Sequence, residues 1–387
     1  MSAALQINAE IPRTPARQAR PPYRADHVGS LLRPQALTWA RTKAEAGALT
    51  PLELRRIEDV AIGDAVALQE DVGLKVVTDG EFRRAYFHLD FLTAIEGAQA
   101  VVDAAAGHFH KADGEVLEFS PPRLQIAGRL RRTSPIMRRD FEVLAAATAE
   151  GHTPKTTIPS PSMALRGGRA AVSETTYPEL EAFHDDVAQV YREEIADLYD
   201  AGCRYLQLDD TNLAYLCDPS RRDAIRAGGE DPHAQAALSA RLINAALQAA
   251  PADMFKGIHL CRGNFRSAFV AEGGYEPVAD LLFNAIEVDA FLLEYDDDRS
   301  GSFEPLRYLP KDKFAVLGLI SSKSGALESV DEIRRRVDEA AKFAPLEQLC
   351  LSPQCGFAST CHGNDISFDA QRRKLELVVT CAEMIWG

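Results

Sequence analysis

The sequence predicts a single (β/α)8 barrel, and three observations support that fold class. Eight short segments are apolar in the middle, as expected of strands that are buried on both faces. Amphipathic stretches of helical length separate them. Polar side chains collect at the C-terminal ends of the predicted strands, where the loops of such a barrel converge. The predicted strands are 23–30, 74–81, 155–162, 205–212, 256–263, 290–297, 314–321 and 348–356.

Helix signals fill the gaps between the predicted strands. Segment 50–73 opens with a threonine cap, has proline at its first helical position and closes on glycine. Segment 177–202 places apolar residues at helical spacing and also ends on glycine. Segment 329–344 begins with a serine cap followed by acidic residues, which favour a helix N-terminus.

Two parts of the chain depart from this alternation. Residues 95–140 are expected to form an excursion after the second strand, a hairpin plus a helix. Residues 1–22 are a polar arm that contains Pro and Arg and lacks an apolar signal core, so the barrel is expected to span 23–387 in a cytoplasmic protein. No G-x-G-x-x-G and no G-x-x-x-x-G-K follows a predicted strand, which argues against a dinucleotide fold and a P-loop.

Composition narrows the classes of function. The net charge of −14 argues against a general nucleic-acid binder, because attraction to phosphates needs a basic surface. The sequence contains no run of about 18 apolar residues, so no membrane span is expected. Seven cysteines at irregular spacing indicate reduced thiols rather than a disulfide framework. One local arginine cluster is either a solvated loop or a contact for an anionic ligand or partner: Arg129, Arg131, Arg132, Arg138 and Arg139.

A metal site is suggested by His259 and Cys261. Two residues apart on a strand, their side chains point to the same face and can reach one ion, although such a pair also occurs at ordinary buried strand ends. An imidazole and a thiolate favour zinc, which takes four ligands in a tetrahedron. Glu294 and Cys355, at the ends of later strands, are the candidates for the other two positions. The Cys-His pair at 361–362 lies on the following loop and is less favoured.

From about Asp26 to its C-terminus the sequence resembles the catalytic C-terminal barrel of cobalamin-independent methionine synthase. Each motif alone is weak, but together they occur in the family's order, each at a predicted strand end. They are HVGS at 27–30, DGE at 79–81, QLDD at 207–210, HLC at 259–261, Glu294, and PQCG at 353–356.

The resemblance implies a zinc-dependent transfer of a methyl group to the sulfur of homocysteine or a close thiol. The implied zinc ligands are His259, Cys261, Glu294 and Cys355. A thiol with a pKa near ~8.5 is mostly protonated at neutral pH, and binding to zinc removes its proton. The alternatives are alkyl transfer to another electrophile, such as an epoxide, and a structural zinc in a protein that is not an enzyme.

The resemblance also implies how the acceptor is held. Asp209 matches the carboxylate that binds the amino group of homocysteine. Glu81 matches a carboxylate shared between the amino-acid and pterin sites. Val28, Gly29 and Ser30 match a backbone segment that grips the acceptor's carboxylate.

Three departures from the family leave the methyl donor open. The family's full-length enzymes carry a second N-terminal barrel that this sequence does not contain. Lys323 occupies the position of a proton-donating histidine, where it could donate a proton or balance charge. The tryptophan expected after the third strand is missing. The candidate donors are therefore a folate, a corrinoid, with a corrinoid protein as a candidate partner, and a small methylated metabolite.

Overall fold

The computed structural model describes residues 21–102, 107–111 and 113–387, so the predicted arm 1–22 lies almost wholly outside the described residues. The strands of the described part are β1 (Val76–Val77), β2 (Glu96–Val101), β3 (Gly107–His110), β4 (Val116–Phe119), β5 (Arg123–Arg131), β6 (Thr153–Pro159), β7 (Tyr205–Asp210), β8 (Phe255–Leu260), β9 (Ala290–Glu294), β10 (Phe314–Ile320) and β11 (Leu349–Pro353).

A curled parallel sheet forms the centre of the fold. Its seven strands follow one another in the order β1-β6-β7-β8-β9-β10-β11, and each neighbouring pair is parallel. Every residue of β7, β9 and β11 is buried, because both faces of the sheet are covered. Seven of the eight predicted strand positions therefore carry a strand of this sheet.

The remaining predicted strand, 23–30, is the first in the chain, and the prediction of a regular strand there is wrong. It makes a single parallel bridge, from Ala25 to Leu351, in which the Asp26 amide donates to the Leu351 carbonyl at 2.9 Å. Beyond that bridge, the carbonyls of Val28 and Gly29 do not pair with a neighbouring strand. Each accepts a hydrogen bond of 2.6 Å from a side chain instead. The predicted count of eight regular strands is not confirmed, whereas the barrel-like α/β class is.

Each of the three predicted helical segments, 50–73, 177–202 and 329–344, contains one helix, and eleven helices in the described residues cover the outside of the sheet. They are α1 (Gln35–Glu45), α2 (Pro51–Asp71), α3 (Leu89–Leu92), α4 (Arg138–Ala147), α5 (Leu180–Asp200), α6 (Asn212–Tyr215), α7 (Pro219–Ala227), α8 (Pro232–Leu247), α9 (Ala279–Ala285), α10 (Val330–Ala340) and α11 (Phe368–Trp386). No helix among the described residues combines the length and apolar character needed to cross a membrane.

The amphipathic pattern of α5 shows how the helices are held. Phe183, Val187, Tyr191 and Ile195 recur every four residues, and all four are buried in the main core with apolar residues of the sheet such as Leu208. At the N-terminus of α2 the predicted threonine cap is present and forms a reciprocal capping box with the glutamate three residues later.

The predicted excursion is present and is larger than a hairpin plus a helix. Strand β2 pairs antiparallel with β5, β3 pairs antiparallel with β4, and α4 follows. The β3-β4 hairpin is tied to the loop after β8: His110 and Phe269 exchange backbone hydrogen bonds of 2.8 and 2.9 Å, and the rings of Phe119 and Phe265 stack at 4.3 Å. The excursion therefore folds over the C-terminal end of the sheet.

Most of the arginine cluster is paired with carboxylates of the chain itself. Arg129 lies 3.0 Å from Asp186, Arg131 lies 2.8 Å from Glu96, and Arg138 lies 2.5 Å from Asp197. The deepest pair joins Arg132 to Glu194, whose carboxylate is completely buried and also accepts the amides of Ile136 and Met137 at 3.1 and 2.6 Å. The cluster thus attaches the end of the excursion to α5.

We expect Glu194→Ala to lower the free energy of unfolding by about 2–4 kcal/mol, because it removes one of the two carboxylates that pair with Arg132 and leaves the amides of Ile136 and Met137 without their acceptor. Chemical denaturation measures this change. The matched control is Glu193→Ala on the same helix, whose exposed side chain bonds only to Gln189 at 2.8 Å and should change stability little. Equal losses in the two variants would contradict the structural role assigned to Glu194.

Candidate active site

The parallel register brings the predicted site residues to one edge of the sheet. Asp209 on β7 is the register partner of His259 on β8, and Glu294 on β9 is the register partner of Gly318 on β10. Because all seven strands run in the same direction, their C-terminal ends meet at one edge. The side chains that the sequence places at strand ends therefore face a common space.

Three potential metal ligands lie together at this edge, and we call them the His/Cys/Cys group: His259, Cys261 and Cys355. Their ligand atoms all lie within 4.8 Å of one another, and the two sulfurs are 3.4 Å apart. The Nδ1 of His259 is 3.1 Å from the carbonyl of Leu292, while its Nε2 is buried without a hydrogen-bond partner. A buried, unpartnered imidazole nitrogen beside two thiols fits an ion that accepts nitrogen and sulfur ligands.

Electrostatics favour the anionic form of one thiol. The hydrogen bond from Cys261 is the largest cause that holds the pKa of Cys355 well below its ordinary value, and the same contact raises the pKa of Cys261. Burial would lower the pKa of His259, but the Cys355 thiol and the charges of Asp209 and Glu294 outweigh it and raise that pKa. The group is thus set to hold a thiolate, the form in which cysteine binds metals.

Glu294, the predicted fourth ligand, lies beside the group and is held by cations. It is completely buried, accepts the amide of Arg262, and has Lys323 Nζ and Gln354 Nε2 each 3.3 Å from Oε1. Burial raises its pKa, but Lys323, Arg299 and Arg262 outweigh that effect and lower the pKa to about 2. Among the described residues its carboxylate is not within the His/Cys/Cys group, so a ligand role for Glu294 stays a prediction.

Lys323 is the charge partner of Glu294 in this structure. Its side chain is 10% exposed, and among the described residues it forms an ion pair with that carboxylate. Burial lowers its pKa, yet Glu294 and Asp296 together raise the pKa above the ordinary lysine value. A lysine with a raised pKa is a weak acid near neutral pH. Of the two roles considered for Lys323, this geometry favours charge balance.

Two buried carboxylates face the same space from the other side. Glu81 has positive φ (58°), its Oε1 lies 3.2 Å from the Thr157 hydroxyl, and its Oε2 is buried without a hydrogen-bond partner, 3.8 Å from Arg84. Burial, opposed by Arg84, raises the pKa of Glu81 to about 7. Burial is also the largest cause that raises the pKa of Asp209 to about 6. Both groups lack a full set of partners for their negative charge, which suits a cationic ligand.

The segment Val28–Gly29–Ser30 approaches the site closely. Gly29 has a φ of 140°, and a Cβ at this position would lie 2.8 Å from Cγ2 of Thr157, so only glycine fits there. The carbonyl of Ser30 accepts the amide of Phe357 at 2.8 Å, which fixes the segment against the loop after β11. The side chains of Val28 and Ser30 line the cavity described next.

A cavity of about 430 Å³ connects these parts. Its floor includes the His/Cys/Cys group, Glu81 and Asp209, whereas neither Glu294 nor Lys323 is among its described lining residues. Its outer wall is aromatic, and sequence reasoning missed it: Tyr86, Phe87, Phe109, Phe119 and Phe265. Two of these residues, Phe109 and Phe119, lie in the excursion, but their position over the strand ends depends on long-range pairing with the loop after β8.

The less favoured Cys-His pair lies apart from the group. Cys361 is exposed, and its sulfur is 3.8 Å from Nδ1 of His362. Of the two cysteines on the loop after β11, only Cys355 joins the His/Cys/Cys group in the described part of the chain.

Comparisons with known proteins agree with this geometry. Residues 25–383 match the family model described as "Cobalamin-independent synthase, Catalytic domain". The protein named YxjH of Bacillus subtilis, whose function is uncharacterized, is 44% identical over 371 residues, which cover 96% of both chains. A 5-methyltetrahydropteroyltriglutamate–homocysteine methyltransferase of Synechococcus is 23% identical, with 87% of this chain matching 40% of that protein.

The fold agrees as well. The crystal structure of the putative vitamin-B12 independent methionine synthase from Listeria monocytogenes has a TM-score of 0.75 and 37% identity, and the match covers 95% of this chain and 98% of that one. The predicted resemblance and the predicted class of enzyme, a methionine synthase-like methyltransferase, are confirmed. The chain belongs to the family of the cobalamin-independent synthase catalytic domain.

Proposed function

We propose that the protein uses zinc to transfer a methyl group to the thiol of homocysteine or a close amino-thiol. The observation that carries the proposal is that the His/Cys/Cys group lines the same cavity as the buried carboxylates Glu81 and Asp209. Zinc in this group would hold the acceptor's sulfur as a thiolate, which attacks carbon far better than a thiol.

The residues of the His/Cys/Cys group and their neighbours have different proposed roles. His259, Cys261 and Cys355 would hold the ion, with Glu294 as the fourth ligand. In the described structure Glu294 is held by Lys323, which balances its charge. We infer that this pair keeps the carboxylate available beside the ion without leaving a buried charge uncompensated.

The acceptor would be oriented by its amino-acid group. The ammonium would lie between Asp209 and Glu81, whose Oε2 accepts no hydrogen bond in the described structure. The carboxylate of the acceptor would meet the backbone of Val28, Gly29 and Ser30. In this orientation the sulfur points toward the cysteines that share the cavity floor.

For the donor we propose a small methylated metabolite whose leaving group needs no proton, such as a sulfonium. As the new S–CH3 bond forms, the bond from the methyl group to the sulfonium sulfur breaks, and the donor leaves as a neutral thioether. A leaving pterin nitrogen needs a proton near neutral pH. Lys323, which was considered as the proton donor, is paired with Glu294 and is not among the described residues that line the cavity. Aromatic faces such as those of Phe109 and Phe119 attract cations. We do not propose a corrinoid protein as partner.

The second candidate function is alkyl transfer from another electrophile, such as an epoxide. The aromatic wall of the cavity favours it, because an apolar alkyl group would bury its surface there. The buried carboxylates Glu81 and Asp209 disfavour it, because they match an acceptor that carries an ammonium group.

We expect Cys355→Ser to reduce the zinc content sharply and to abolish activity, because the serine hydroxyl is a poor zinc ligand beside thiolate and imidazole. Metal analysis of the purified protein measures the zinc content. The matched control is Cys361→Ser on the same loop, which should retain one zinc per chain. Retention of zinc by Cys355→Ser together with its loss from Cys361→Ser would show that the other thiol is the ligand.

We expect Asp209→Asn to weaken acceptor binding by about 1.5–3 kcal/mol, the size of a hydrogen bond to a charged group. Zinc content should stay unchanged. The measurement is KM for homocysteine beside KM for a mercaptoalkane that lacks the amino group. Equal use of homocysteine by the wild type and the variant would contradict an ammonium site at Asp209, and efficient use of the mercaptoalkane by the wild type would favour the second function.

We expect homocysteine to be methylated faster from a methyl sulfonium than from methyltetrahydrofolate triglutamate. Methylcobalamin supplies a third arm of the same product assay, with each donor at saturation. A boiled sample and Cys355→Ser serve as blanks. Efficient turnover with the folate alone would contradict the proposed donor and would leave the acceptor half of the proposal intact.

A further inference from the structure

We propose that Lys155 and Gln207 are positioning residues of the acceptor site, although neither lines the cavity. Lys155, on β6, fixes the side-chain amide of Gln207, on β7, so that the amide nitrogen holds Asp209 and the Val28 carbonyl together. The inference rests on the proposed function, because it concerns the grip on the acceptor's amino-acid group. The side chains of Lys155 and Gln207 are completely buried.

The ammonium of Lys155 determines the orientation of the amide. Its Nζ lies 2.8 Å from Oδ1 of Asp26 and 3.0 Å from Oε1 of Gln207, and it also donates to the carbonyl of His27. An ammonium has three donors and no acceptor, so all three are used and the amide atom that faces it must be the oxygen. The nitrogen of Gln207 therefore points the other way, toward the site.

That nitrogen joins the two halves of the acceptor site. Nε2 of Gln207 donates to Oδ1 of Asp209 at 2.8 Å and to the carbonyl of Val28 at 2.6 Å. Asp209 belongs to the proposed ammonium site, and Val28 belongs to the segment proposed to grip the carboxylate. If the amide were flipped, its oxygen would face both of these acceptors, which is repulsive in a buried site.

The lysine is itself anchored. Asp26 also accepts the hydroxyl of Tyr205 at 2.6 Å through Oδ2 and the amide of His27 at 2.7 Å through Oδ1. The buried ion pair of Asp26 and Lys155 thus has hydrogen bonds on both sides, the condition under which such a pair is well placed. The chain of contacts runs from a fixed ion pair, through one amide, to the groups that would meet the acceptor.

The test measures binding of methionine, the product expected of the proposed reaction, to the zinc-loaded full-length protein by titration calorimetry. Gln207→Glu keeps an acceptor for Lys155 and removes both donors, so we expect Kd to rise about tenfold or more. The matched control is Gln348→Glu, which also removes two amide bonds to carbonyls, those of Pro310 and Lys313, but at the opposite end of the sheet. It should leave Kd unchanged.

A second variant separates positioning from folding. Lys155→Met removes the group that orients the amide without removing a contact to Asp209 or Val28, and it should also raise Kd while zinc content stays at the wild-type value. In an Asp209→Asn background the effect of Gln207→Glu should shrink, because one of the two held groups has lost its charge. A structural role alone would give the same factor in both backgrounds and would overturn the inference.

Different results would contradict the proposed function and the positioning role of Lys155 and Gln207. If the wild type binds methionine and both Gln207→Glu and Lys155→Met bind it equally well, only the positioning role is overturned. If the zinc-loaded wild type neither binds methionine nor methylates homocysteine, the proposed function fails and the inference fails with it.

Discussion

The in-register alignment of parallel strands is the constraint on which the site depends. Residues that are far apart in the sequence become neighbours because each stands at the end of its strand: Asp209 beside His259, and Glu294 one strand further. A shift of one residue in this register would turn the side chains of a strand to the opposite face. The hydrogen bonds that set the register therefore also set the distances within the His/Cys/Cys group.

Two buried carboxylates near the C-terminal edge of the sheet, Glu294 and Glu81, have different charged surroundings. On one side, Glu294 is surrounded by Lys323, Arg262 and Arg299, which lower its pKa to about 2. On the other side, burial raises the pKa of Glu81 to about 7 and outweighs Arg84, at 3.8 Å, and Arg33, which lower that pKa. One carboxylate is thus kept ionised by the protein, while the other is left to be satisfied by a ligand. That asymmetry suits the proposed acceptor, which carries a positive amino group.

The sequence predicted those parts of the fold and site that depend on local signals. Apolar runs located seven strands, and a threonine cap with proline located the start of α2. The spacing of His259 and Cys261, two residues apart on one strand, was enough to predict that both side chains point to the same face. Segment 23–30 was wrong as a regular strand, because the carbonyls of Val28 and Gly29 accept hydrogen bonds from the side chains of Gln207 and Thr78, which no local pattern predicts.

The same reasoning explains what was missed at the site. The aromatic wall depends on a hairpin that folds back over the strand ends, and the role inferred for Lys155 depends on contacts with residues 129 and 52 positions away. A lysine within a buried strand gives no sign in the sequence of which groups it will contact. The direction of Glu294, toward Lys323, likewise follows from the loop after β10 rather than from its place at a strand end.

The central claim is that a metal in the His/Cys/Cys group receives the acceptor's sulfur. X-ray absorption at the zinc edge tests it most directly, on the zinc-loaded protein with and without added homocysteine. The account predicts one zinc per chain with two sulfur ligands and at least one imidazole nitrogen, and a third sulfur ligand when homocysteine is added. A zinc environment whose sulfur count is the same with and without homocysteine would contradict the account.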